Sequence, residues 1–113
     1  MKEAGLYLLQ ARDRERAESR ERERLRCLGE LKRSLHRTIP GVPVFVFGSI
    51  LRPGRFRPDS DIDLALERIP KGVGPYGLTA LLEERLGRPV DVVELGSCRF
   101  DQKIREEGER WIA

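Results

Sequence analysis

Apolar positions recur at two different periods along this chain, and the change between them separates a long helix from a set of strands. Leu25, Leu28, Leu31 and Leu35 fall at spacings of three and four, the stripe of a helix that can pack on a sheet. Helix formers dominate from residue 3 onward, no proline occurs before Pro40, and Pro40-Gly41 is a natural stop. The pattern therefore predicts one helix from residue 3 to about residue 37. After the stop the period shortens. VPVFVFG at 42 to 48 is β-branched and aromatic, a strand with Pro43 near its start, where a missing donor is tolerated. DIDLALE at 61 to 67 alternates, with Asp61, Asp63, Ala65 and Glu67 on one face and Ile62, Leu64 and Leu66 on the other.

Between these two strands, residues 49 to 59 predict a short helical turn followed by an arginine-rich loop. PKGVGP at 70 to 75 is a breaker-rich loop, YGLTALLEERLG at 76 to 87 a short helix ending at Gly87, and RPVDVVEL at 88 to 95 a third strand. Phe100, Ile104 and Trp111 suggest a terminal helix from about 100 to 111 that packs back on the sheet. Helices alternate with strands, which gives an α+β fold: a small mixed sheet flanked by helices. We divide the chain into an N-terminal helix, residues 1 to 38, and a core, residues 39 to 113, of one domain overall, because 113 residues leave no length for a second one.

One stretch of the long helix cannot bury a face. RDRERAESRERER, residues 12 to 24, has Ala17 as its single apolar residue, and Arg14, Glu18 and Arg22 form pairs at four-residue spacing. It reads as a solvated helix extension. Yet Leu6, Tyr7, Leu8 and Leu9 precede it, and an apolar knot beyond a charged stalk needs a place to be buried. A partner chain or a second copy would supply that place, so homo- or hetero-oligomers through this helix are expected.

Charge and composition narrow the compartment more than the chemistry. Charged residues reach 36% of the sequence, above the roughly 25% usual in soluble domains. No segment approaches the roughly 20 apolar residues that span a bilayer, and the N-terminal apolar run is too short for a signal peptide, so a cytoplasmic location without membrane contact is expected. Cys27 and Cys98 fit no metal spacing and read as reduced thiols. Twenty-two basic residues against nineteen acidic ones leave a net charge of +3, a modest excess that does not require a nucleic-acid partner.

The candidate chemistry lies where the strands begin and end. Gly48-Ser49 directly follows a strand and opens a helical turn, an arrangement whose free N–H groups suit a phosphate, although such a pair is more often an ordinary turn. Asp61 and Asp63, two apart on one strand face, would repel each other unless a cation lay between them. Magnesium suits them, since it takes hard carboxylate oxygens and shares its shell with substrate phosphates and water. Asp91 stands between Val90 and Val92 in a comparable strand. If the two strands are neighbours in register, three carboxylates share one rim. Glu67 and Glu94 lie farther along and read as surface residues.

Gly48-Ser49, a spacer containing Arg57-Pro58-Asp59-Ser60, Asp61-Ile62-Asp63 and a later Asp91 together resemble the polymerase-beta-type nucleotidyltransferases, specifically the minimal nucleotidyltransferase family. The match covers about residues 40 to 95 and extends to the expected terminal helix. The family's spacer is one residue shorter, so a residue is added between Leu51 and Phe56, and Arg52 best fits the family's arginine after Gly-Ser, with Arg55 and Arg57 as alternatives. The resemblance implies a polymerase-beta-like fold and a two-metal reaction with ATP as substrate. Asp61 and Asp63 would bridge two Mg2+ ions, Asp91 would hold the one on the acceptor side, and Gly48, Ser49 and Arg52 would hold the nucleotide. It further implies an antitoxin that moves AMP from ATP onto a tyrosine of a HEPN-type toxin.

Three other readings remain open at this point. The chain could neutralise its partner by contact alone, transfer a nucleotidyl group to a small molecule, or act on a nucleic-acid end. His36 reads as a capping or surface residue, and Phe45, Phe47 and Trp111 as core or docking groups rather than a base-stacking platform.

Overall fold

A computed structural model describes residues 2–113. Helix α1 (Lys2–Thr38) runs unbroken to the Pro40-Gly41 stop. Strand β1 (Pro43–Phe47) follows, then a 3-10 turn (Ser49–Leu51), β2 (Ile62–Leu66), α2 (Pro75–Leu86) and β3 (Val90–Glu94). A second 3-10 turn (Leu95–Ser97), α3 (Asp101–Glu107) and β4 (Glu109–Ile112) complete the chain. The sheet order is β3-β2-β1-β4, with β1 antiparallel to both of its neighbours and β2 parallel to β3. The parallel pair needs a crossover between its strands, and α2 supplies it. This is the mixed α+β architecture that the alternation of periods implies.

The end of the chain departs from that expectation. Residues 100 to 111 are not one helix: α3 stops at Glu107, Gly108 is extended, and Glu109–Ile112 form an edge strand on β1. Pairing with β1 outweighs the helical spacing of Phe100, Ile104 and Trp111. Phe100 stays exposed, Ile104 is buried under the sheet, and Trp111 packs from the strand on the opposite face.

That sheet has an apolar layer on each side. Alternate residues Val44, Val46, Ile62, Leu64 and Leu66 face α1 and α2. The other parity, Phe45 and Ala65, meets Leu95 and Ile104 in a smaller cluster under α3. On α1 the buried line is Cys27, Leu31 and Leu35, while Leu25 is 54% exposed. At 3.6 residues per turn Leu25 stands about 120° from Leu31 and Cys27 only about 40°. A spacing of three followed by three drifts off the face, so Leu25 does not belong to the expected stripe. Both cysteines are free thiols.

Because only residues 39 to 42 separate α1 from β1, the helix returns antiparallel to the strand and reaches the sheet end where β1 finishes. Arg24 marks that level, its Nη1 donating to the Ile50 carbonyl at 2.9 Å. The helix then continues beyond the sheet, and Leu6, Tyr7, Leu8 and Leu9 are all exposed. Among the described residues, no helix is long and apolar enough to cross a membrane.

Candidate functional site

Strand directions gather the predicted residues at one end of the sheet. Since β1 and β2 are antiparallel, the end of the first meets the start of the second, with Phe47 opposite Asp63. Since β2 and β3 are parallel, the start of the third lies at the same level, with Asp91 directly opposite Asp63. Ile62 fixes this register further, donating its N–H to the Pro89 carbonyl at 3.0 Å. Asp63 and Asp91 thus stand on one face of neighbouring strands, and Asp61 precedes β2 by one residue.

Gly48 closes the rim from β1. Its φ of 83° and ψ of −158° suit glycine alone, and a Cβ placed there would fall on the Asp63 carboxylate oxygen Oδ2. The glycine therefore lets the backbone lie against the carboxylate. Ser49 opens the turn that follows, in which the N–H groups of Leu51 and Arg52 donate to the carbonyls of Gly48 and Ser49. The Ser49 hydroxyl makes no hydrogen bond among the described residues.

Asp63 is half-buried, whereas Asp61 and Asp91 are exposed. Burial, then the charge of Asp91, then that of Asp61 push the Asp63 carboxyl up to about 6. The electrostatics thus bind the three aspartates into one cluster that a cation would relieve. Among the described residues no three His, Cys, Asp or Glu side chains converge closely enough to hold a metal ion by themselves. The donors are nonetheless hard carboxylate oxygens beside an open rim, the set that takes magnesium when substrate phosphates and water complete the shell. The residues fit the ion on that basis, as a shared site rather than a preformed cage.

Arg52 is exposed and takes part in none of the ion pairs among the described residues. Glu67 and Glu94 are exposed as expected, with Glu67 accepting from Arg105 Nη1 at 3.0 Å. Sequence reasoning missed Arg88. Its Nη1 donates to the carbonyls of Arg57 at 3.1 Å and Ser60 at 3.0 Å, and its Nη2 to Glu23 Oε1 at 3.3 Å. Its guanidinium also lies over the Phe56 ring, 4.2 Å from the centroid. One arginine thus pins the turn leading into Asp61 to α1. A lone buried aromatic in an arginine-rich loop, Phe56, was the available signal, while Arg88 itself carried none.

No family model and no curated protein sequence matches the chain. Solved structures do. A toxin-antitoxin crystal structure with AMP-PNP shares 25% identity and a TM-score of 0.58, over 75% of this chain and 73% of that one. The toxin-antitoxin MntA-HepT shares 26% identity and a TM-score of 0.52, over 76% of this chain and 72% of that one. Fold and comparisons together define the class, a nucleotidyltransferase-like α+β protein. Within that class the likeness is to minimal nucleotidyltransferase antitoxins, in agreement with the resemblance carried by the sequence motifs.

Proposed function

We propose that this chain is a magnesium-dependent nucleotidyltransferase of the cytoplasm that transfers AMP from ATP to a tyrosine hydroxyl of a HEPN-type toxin, acting as its antitoxin. The observation that carries the reading is the placement of Asp63 opposite Asp91, with Asp61 beside them and Gly48 against the carboxylate. The likeness to toxin-antitoxin complexes, one of them holding an ATP analogue, supports both nucleotide and partner.

In this reading the acceptor hydroxyl attacks the α-phosphorus of ATP, a new P–O bond forms, and pyrophosphate leaves. Asp61, Asp63 and Asp91 would hold the Mg2+ ions, which when bound supply charge stabilisation to the phosphates and acidify the acceptor hydroxyl. Asp91 would take up the hydroxyl proton. Gly48 lets the phosphates approach the backbone, and the Ser49 hydroxyl, uncommitted within the protein, would donate to a phosphate oxygen. Arg52, free in solvent, would close on the phosphates once nucleotide is bound.

The test is transfer of label from α-labelled ATP to the co-purified partner. Asp61→Ala and Asp63→Ala should each reduce it by at least ~100-fold, the scale of losing a major electrostatic contribution to the transition state. If wild type and both variants suppress the partner equally and none transfers label, neutralisation by contact replaces the enzymatic reading.

A further inference from the structure

Helix α1 and the turn before Asp61 enclose a second concavity, away from the aspartate rim. It is a cleft of about 360 Å³ between residues 19 to 23 of the helix and residues 56 to 58 of the loop. Arg20 and Arg22 line it from the helix, Arg57 from the loop, and Phe56 and Pro58 supply apolar wall. The Arg88 network described above holds the loop wall against the helix wall, so the cleft belongs to a fixed junction.

The charges of the cleft do not cancel. Its carboxylate, Glu23, is already committed to Arg26 at 2.7 Å and to Arg88 at 3.3 Å. None of the ion pairs among the described residues uses Arg20, Arg22 or Arg57. Three arginines therefore line one concavity, Arg20 and Arg22 from its two flanks and Arg57 from the loop, without an ion pair of their own among the described residues, and such an excess of positive charge draws in an anionic group. Arg57 lies four residues from Asp61, so at most about 14 Å of chain separates the cleft from the candidate rim.

We propose that this cleft docks an acidic segment of the acceptor protein, carboxylates meeting Arg20, Arg22 and Arg57, and so holds the acceptor beside the aspartate rim. The proposal rests on the reading of a protein acceptor given above. A peptide fits better than a nucleic acid. A nucleic acid that gains affinity by neutralising many phosphates would have to run along the helix past Asp13, Glu15, Glu18 and Glu21, whereas a short acidic segment need reach only the cleft. Phe56 is only 2% exposed, so it offers no face on which a base could stack.

The probe is a fluorescein-labelled decapeptide of alternating glutamate and tyrosine, bound to the full chain and read by anisotropy. Arg20→Glu with Arg22→Glu should weaken binding by about tenfold or more, and the corresponding glutamine pair by less, as expected for close charge pairs. Arg14→Glu with Arg16→Glu makes the same change in net charge farther out on the helix and should alter binding by less than about twofold. Far-UV circular dichroism checks that each variant keeps its helix. Saturating ATP should not displace the peptide. Equal weakening by the outer pair, displacement by ATP, or tighter binding of a uridine decamer each overturns the proposal. Label transfer is scored separately: a chain that binds the peptide but transfers nothing defeats the reaction and not the cleft. A chain that transfers label but binds no peptide defeats the cleft and not the reaction.

Discussion

Asp63 carries a proton in the folded chain over a pH range where the unfolded chain has already lost it, since its folded value is about 6 against an ordinary value of 3.8. Below that ordinary value both states are protonated and the residue costs nothing. Between about 3.8 and about 6 stability falls as pH rises, and above that it stays reduced, because the folded state then carries a poorly solvated charge beside Asp91 and Asp61. The full shift would amount to about 3 kcal/mol, and partial exposure reduces it to roughly 1–2 kcal/mol. Asp63→Asn should therefore stabilise the protein by that amount in urea denaturation at pH 7.5, with the gain gone below pH 4, while abolishing label transfer. Arg88 poses the opposite case. Its side chain is 8% exposed and serves two carbonyls, a carboxylate and an aromatic face at once. Arg88→Ala should cost about 2–4 kcal/mol in the same assay, and Arg88→Lys should recover little, because an ammonium cannot reproduce the planar fork.

At the scale of elements, what the sequence revealed and what it hid have physical causes. Strands β1, β2 and β3 declare themselves because one face of each is apolar and bounded by breakers, and the alternation in Asp61-Ile62-Asp63-Leu64 places the carboxylates before any pairing is known. The α1 stripe was legible only in part, since Cys27 does not count as an apolar landmark to the eye and Leu25 does. Strand β4 was hidden because its four residues make sense only against the free edge of β1, a long-range pairing that no local period records. Gly108 marks the change, and it also permits it. A Cβ there would lie 2.6 Å from the Ile104 carbonyl and 3.1 Å from that of Val46. Gly108→Ala must therefore push β4 away from β1 or unwind the end of α3, at a cost of roughly 1–3 kcal/mol. Thermal unfolding followed by circular dichroism should show the lowered midpoint, and limited proteolysis should show earlier cleavage after Arg110 than in wild type.

The whole molecule is longer than its chain length requires. Its radius of gyration is 17.0 Å and its extents are 63 × 28 × 20 Å, against about 13 Å for the radius of an ordinary domain of this length. The excess lies in α1, which from Arg24 to Leu6 extends about 27 Å past the sheet end that carries the aspartates. A helical stretch without tertiary contacts is marginal in water even with favourable pairs at four-residue spacing, and the part outward of the Glu23–Arg88 contact, residues 6 to 18, has neither sheet nor loop beneath it. Its amides should accordingly exchange with solvent orders of magnitude faster than those of residues 27 to 35, where Cys27, Leu31 and Leu35 are buried. Deleting residues 2 to 16 should then shift the unfolding free energy by less than about 1 kcal/mol, since surface residues outside caps and cores contribute little. Small-angle scattering of the shortened chain should give a radius near 14 Å, close to that of a compact domain. The apolar tip at Leu6–Leu9 makes the same deletion informative about assembly. If Leu6, Tyr7, Leu8 and Leu9 form a partner contact, as their exposure at the tip of the stalk would allow, the shortened protein should lose affinity for its partner while keeping its stability. A stability loss of several kcal/mol would show instead that the stalk folds back onto its own core.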